Sequence, residues 1–208
     1  MADSKNVVLT EDLPLPYRND IIQAVNVLRN GGIILYPTDT VWGIGCDATW
    51  AASIERVYGI KQRPAKQSLL VLAADMDMLQ RYVRNIPDVA LQLLEYADKP
   101  MSIIYPSAQN LPFNLVADDG SIGIRLPHDS FCLDLLREFG KPVVSTSANI
   151  SGTSTPSVFE KIDNEIKNAV DYVVQWRQND IHPASASSVV KVEDDNTFRI
   201  VRRGYFKR

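Results

Sequence analysis

The chain has 208 residues, 45% hydrophobic and 23% charged, enough to bury one sizeable core, and a single domain suits that length. Its 22 Lys and Arg against 25 Asp and Glu leave a formal charge of −3, which does not point to non-specific nucleic-acid binding by the protein as a whole, although the basic tail Arg202-Arg203-Gly204-Tyr205-Phe206-Lys207-Arg208 survives such averaging as a local patch. No apolar run approaches the roughly 20 residues of a membrane span, Cys46 and Cys132 read as separate buried thiols, and His128 and His182 lack metal-ligand spacing, so a soluble, cytoplasmic protein with no membrane contact and no protein-held metal is expected.

Residues 1–14 read as an extension and residues 15–208 as the domain. Asp20 is a plausible N-cap for a helix to about Asn30, with Ile21, Ile22, Val25 and Leu28 on one face and Gly31-Gly32 ending it. Ile33 to Tyr36 is a buried-type strand bounded by Pro37. Ala51 to Tyr58 has helical spacing that Gly59 is expected to break. Leu69 to Ala73 reads as a strand, Met76 to Val83 and Pro87 to Tyr96 as covering helices, and Met101 to Tyr105 as a strand. Pro106 to Gly120 is a long surface loop. Ser121 to Leu126 alternates as a strand should, placing Ile122, Ile124 and Leu126 on one face and Ser121, Gly123 and Arg125 on the other.

Ser130 is expected to cap a helix through Phe139 that Gly140 closes, and the strand Val143-Val144 runs into the hydroxyl-rich segment Ser145 to Gly152. Val158 to Val170 reads as a charged helix. Tyr172 to Val174, Ser187 to Val192 and Phe198 to Val201 are late strands. Strands alternate with helices up to residue 145 and bunch afterwards, which predicts a single α/β domain with α+β character: a twisted mixed sheet flanked by helices.

Three polar features stand at or beyond strand ends: Pro37-Thr38-Asp39-Thr40, Arg125, and the run Ser145 to Asn149. In open α/β sheets ligands lie beyond the carboxyl ends of the strands, so these residues are expected to line one pocket. Lys61 and Arg63 add two cations; on an extended backbone, which Pro64 favours for Arg63, that spacing aims both side chains the same way, as a polyphosphate requires. No GxxxxGK[ST] or GxGxxG cradle is present, so a nucleotide would be held by scattered cations and hydroxyls. Ser147 lies in no GxSxG elbow, which disfavours a nucleophilic triad.

Together, YPTDTVWGIGCDA, KQRP, SIGIRLP, STSANISGTSTP, SSVV and VRRG resemble, in matching order and over about residues 15 to 205, the YrdC/TsaC family of threonylcarbamoyl-AMP synthases in its short, single-domain form. The resemblance implies a YrdC-like fold with a concave cationic face. It also implies a nucleotidyltransferase that joins L-threonine, bicarbonate or CO2, and ATP into threonylcarbamoyl-AMP and pyrophosphate, with Mg²⁺ borne by the nucleotide. A downstream complex would then carry the threonylcarbamoyl group to a tRNA adenosine.

By the same resemblance Lys61, Arg63, Ser147 and Asn149 carry the catalysis. Arg63, Gln67, Ser121, Ser147, Thr155 and Arg202 hold ATP, and Thr40, Arg125, Ser145 and Ser187 hold threonine. The sequence departs from the family pattern at Gln67-Ser68, where members often have Asn or Lys followed by Pro. It departs again at Leu72, where some members have a threonine-contacting histidine, and at Asp39, which shortens the usual glutamate. The competing expectations are a tRNA- or double-stranded-RNA-binding module and a paralogue with the fold but another activity.

Overall fold

The first helix begins earlier than its capping signal. In the computed structural model, which describes residues 14–63 and 69–204, α1 spans Leu15–Arg29 with Pro14 at the N-cap and no side-chain cap. Asp20 does not cap it. It is buried inside the helix, where its carboxylate accepts the Tyr172 hydroxyl at 2.6 Å and the backbone N–H groups of Gln175 and Trp176 at 3.0 and 2.7 Å. A carboxylate that far from water needs such donors, and here they come from a segment about 150 residues away in the chain. Gly31, at φ +73°, turns the chain out of the helix, a conformation that favours glycine. The remainder of the extension, Gln67, Ser68 and residues 205–208 of the basic tail lie outside the described residues.

The strands among the described residues are β1 (Ile34–Tyr36), β2 (Gly43–Gly45), β3 (Leu70–Leu72), β4 (Met101–Tyr105), β5 (Ile122–Arg125), β6 (Val143–Ser147), β7 (Tyr172–Val173), β8 (Ser188–Val192) and β9 (Phe198–Arg202). They form one mixed sheet in the order β7-β1-β2-β6-β3-β5-β4-β8-β9, with parallel pairs β1/β7, β3/β5 and β4/β8 and antiparallel pairs elsewhere. This is a single α/β domain. β1 is buried along its whole length, and Cys46 and Cys132 are buried free thiols in the core.

The helices are α2 (Ala51–Ile60), α3 (Met76–Tyr82), α4 (Asp88–Tyr96), α5 (Ser130–Phe139) and α6 (Asn164–Ala169). α2 runs through Gly59 because a glycine in open space costs a helix only about 1 kcal/mol. Asp129, not Ser130, caps α5 by accepting the Cys132 N–H at 3.0 Å, and Gly140 closes it in the left-handed region. The predicted helix over 158–170 is instead a 3-10 turn at Phe159–Lys161 followed by α6. Asp163, extended and accepting the Glu165 N–H, starts a new helix there. α1 packs on α5 and over β1 and β7. Among the described residues no helix is long and apolar enough to cross a membrane.

Candidate active site

β6 is antiparallel to β3, and β3 is parallel to β5, so the carboxyl ends of β5 and β6 point in opposite directions. The polar residues therefore do not gather beyond common strand ends, as the sequence suggested. Arg125, Ser145 and Ser147 gather because they share one face of the sheet, and Thr40 reaches them from the loop between β1 and β2. The register sets Gly43 beside Ser147, Ser145 beside Leu70, Leu70 beside Gly123, Gly123 beside Ile104, and Ile104 beside Lys191, with Arg125 two residues along from Gly123 on the same side. Glycines and serines at the centre of this face leave it hollow.

The hollow is a pocket of about 300 Å³. Thr40, Arg63, Arg125, Ser145, Ser147, Thr155, Ser187 and Arg202 all reach its wall, bringing together positions 40 to 202 of the chain. Leu70, Ile104 and Val201 give it an apolar side that no sequence motif marked. Three arginines facing one cavity suit a polyanion. Burial depresses the pKa of Arg63 and Arg202, and Arg125 adds like-charge repulsion at Arg202. Arg202 is held by its Nη2, which donates to the Ser187 carbonyl at 3.0 Å. The Ser187 hydroxyl pairs with that of Ser102 at 2.9 Å, a buried contact that β4 supplies and that its alternation alone did not single out.

Arg125 is buried and paired with Asp39 through Nη1, so the acid of the Pro-Thr-Asp-Thr loop serves the pocket as a counter-ion. The loop itself is internally tied. Thr38 accepts the Thr40 N–H at 3.0 Å and donates to the Val41 carbonyl at 2.8 Å, while Arg177 braces it from outside through Asp129 at 2.8 Å and the Thr38 carbonyl at 3.5 Å.

Lys61 and Arg63 do not lie on one extended stretch. Lys61 ends α2 at φ −80°, ψ −7°, and Gln62 adopts φ +48°, so the chain turns between the two cations. Arg63 goes to the pocket wall. Lys61 goes inward, where its ammonium donates to the carbonyls of Ser147 and Asn149 at 2.5 and 2.8 Å. Burial, and secondarily Arg63, lower its pKa to about 8. Lys61 thus ties the end of α2 to the end of β6.

Asn149 joins the pocket through Ser147, whose hydroxyl donates to its Oδ1 at 2.5 Å. The Asn149 amide donates to the carbonyls of Ile150 and Thr153 at 3.0 and 2.8 Å. Ser121 lines an adjoining recess instead of the main pocket, and Leu72 is buried in β3. Among the described residues no group of three or more His, Cys, Asp or Glu side chains is arranged to hold a metal ion.

Comparison with known proteins gives consistent matches. Residues 26–204 match the model of the Sua5_yciO_yrdC family, described as Telomere recombination. A threonylcarbamoyl-AMP synthase of Pseudoalteromonas translucida is 33% identical over 160 residues, 76% of this chain and 86% of its own. Among solved structures, E. coli YciO superposes with a TM-score of 0.78 at 28% identity, covering 90% of both chains. Sua5 of P. abyssi, complexed with L-threonine, gives 0.79 at 23% identity over 90% of this chain and 54% of that one, a likeness of fold.

Proposed function

Because this chain belongs to the Sua5/YciO/YrdC family, we propose that it is an L-threonylcarbamoyladenylate synthase. It joins L-threonine, bicarbonate and ATP into threonylcarbamoyl-AMP, pyrophosphate and water, for later transfer of the threonylcarbamoyl group to a tRNA adenosine by other proteins. The observation that carries the reading is the single pocket in which Arg125, Thr40, Ser145 and Ser187 share a wall with Arg63, Arg202 and Ser147. One set suits a small hydroxy amino acid and the other a triphosphate, and the two are close enough for their ligands to react.

The chemistry follows from what these groups can do. Carboxylation of the threonine amine gives a carbamate, one of whose oxygens attacks the α-phosphorus while the bond to the β-phosphate oxygen breaks and pyrophosphate leaves. Displacement at phosphorus is accelerated chiefly by positioning and by stabilising charge on the phosphoryl and leaving oxygens. Arg63 and Arg202 meet that need directly. Lys61, donating to the Ser147 and Asn149 carbonyls, fixes that turn and contributes its charge from behind the pocket wall that Ser147 forms. Arg125, oriented by Asp39, takes the threonine carboxylate, a charge-assisted contact of roughly 1.5–3 kcal/mol. Thr40, Ser145 and Ser187 surround the threonine, and Thr155 sits at the exposed rim of the triphosphate end. Mg²⁺, borne by the triphosphate, would neutralise part of its charge. Gln67 is assigned to the nucleotide by resemblance alone.

Pyrophosphate release with ATP, Mg²⁺ and bicarbonate tests this reading. Release is expected to depend on L-threonine, with L-serine as the control that reads the strictness of the side-chain selection. A second reading, a paralogue with this fold and another activity, draws on the likeness to E. coli YciO. It predicts nucleotide binding without threonine-dependent release.

A further inference from the structure

Leu69, Leu70, Ile104 and Val201 line both the cationic pocket and a second recess of about 240 Å³, which Ser121, Gly123, Lys191 and Arg199 also line. A Cβ on Gly123 would stand 2.3 Å from Leu70 Cδ2, so the glycine keeps this recess open. A largely apolar recess that shares a wall with the proposed triphosphate site is a place for a nucleobase.

Its polar end has a defined sense. The Ser121 hydroxyl donates to Asp119 Oδ1 at 2.5 Å, and the same oxygen accepts the Ser121 N–H at 3.0 Å. Lys191 reaches Asp119 Oδ2 at 2.6 Å. That bond, with those from Ser121, holds the Asp119 carboxyl well below its ordinary range, and an ionised carboxylate can only accept. The single hydrogen of the buried Ser121 hydroxyl is therefore spent on Asp119. Toward the recess Ser121 offers only lone pairs, and the Lys191 ammonium beside it offers only donors.

We propose that Asp119 is a positioning residue that makes the recess select a 6-aminopurine over a 6-oxopurine, by turning Ser121 into an obligate acceptor. The proposal rests on the reading of this site as ATP-using. Adenine presents its 6-amino hydrogens to Ser121 and a ring nitrogen acceptor to Lys191. A 6-oxopurine sets a carbonyl lone pair against the Ser121 lone pair, and a site whose polar groups are mismatched rejects its ligand more strongly than one that is merely short of contacts. Neither Asp119 nor Lys191 belongs to the triphosphate or threonine sets.

Dissociation constants for ATP and ITP, measured by equilibrium dialysis on the full chain and set beside pyrophosphate release with each nucleotide, test the proposal. The wild-type protein is expected to favour ATP at least about tenfold, the worth of one well-placed hydrogen bond. Asp119→Asn, whose amide can donate to Ser121 and free the hydroxyl hydrogen, is expected to bring the ratio near one by tightening ITP. Ser121→Ala is expected to lower the ratio by weakening ATP. Equal binding of ATP and ITP by the wild type, or an unchanged ratio in a folded Asp119→Asn protein, overturns the proposal. Base-selective binding without threonine-dependent release would leave it standing and sink the synthase reading; no nucleotide binding at all would sink both.

Discussion

On the proposed reading, Lys61 acts on binding and stability with opposite signs. Its folded pKa, near 8, lies below the ordinary lysine value of 10.5 because burial disfavours its charged form. Between those two pH values the unfolded chain binds more protons than the folded one, so this group's contribution to stability rises with pH across that window. On the proposed reading triphosphate binding goes the other way, because the cation tied to the Ser147 and Asn149 carbonyls is lost as the pH passes 8. ATP affinity is therefore expected to fall between pH 7 and 9.5 in the wild type and to be lower but flatter over that range in Lys61→Met, as titration calorimetry would read. Parallel profiles for the two proteins would remove Lys61 from the phosphate site. At Arg63, which faces the pocket, Arg63→Ala is expected to cut turnover by orders of magnitude with unfolding unchanged; wild-type activity in that variant would displace the phosphate assignment. Asp39→Ala leaves Arg125 as an uncompensated buried charge, and its unfolding midpoint in urea is expected to report a loss of roughly 3–5 kcal/mol.

Among the elements, β2 and β6 contribute Gly43, Ser145 and Ser147 to the pocket and β5 contributes Gly123 to the adjoining recess, while Gly45 is enclosed between Tyr36, Val143 and Val144, and substitutions should divide accordingly. A Cβ on Gly45 would meet the Val144 carbonyl oxygen at 2.8 Å and the Tyr36 ring at 2.7 Å, neither of which can swing aside. Gly45→Ala is expected to cost about 1–3 kcal/mol in stability. At Gly123 the obstacle is the flexible end of Leu70, so Gly123→Ala is expected to push Leu70 into the recess and weaken ATP binding more than it lowers the thermal midpoint. The same contrast explains what was legible in the sequence. β1, β3, β4 and β5 announce themselves through apolar runs and alternation, whereas β2, Gly-Ile-Gly, has too few side chains to show a pattern. β6 continues through Ser145-Thr146-Ser147 because its partners β2 and β3, not its composition, keep it extended. Asp20 and Asp163 show the limit of capping signals. One acid is claimed by a distant segment, and the other starts a helix that the periodicity had merged with its neighbour.

On the scale of the whole molecule, the net charge of −3 conceals a pocket in which Arg63, Arg125 and Arg202 converge, because register, not sequence proximity, decides which charges meet. The resemblance named Thr40, Arg63, Arg125, Ser145, Ser147, Thr155, Ser187 and Arg202, which line the pocket, and also Lys61, Ser121 and Asn149, which do not; the shared sheet face, the inward turn of Lys61 and the Asp119–Ser121–Lys191 group required the fold. The site also depends on the fold's integrity: Leu35, fully buried in β1, packs in the core, and Leu35→Asp is expected to abolish cooperative unfolding and nucleotide binding together. What remains distinctive of the proposed reaction is its one-carbon origin. Incubation with ATP, Mg²⁺, L-threonine and ¹³C-bicarbonate, followed by mass spectrometry of the nucleotide products, is expected to yield an AMP conjugate of threonine heavier by one ¹³C than that made from unlabelled bicarbonate. AMP or unmodified ATP with no labelled conjugate, from folded protein that binds ATP, would contradict the synthase.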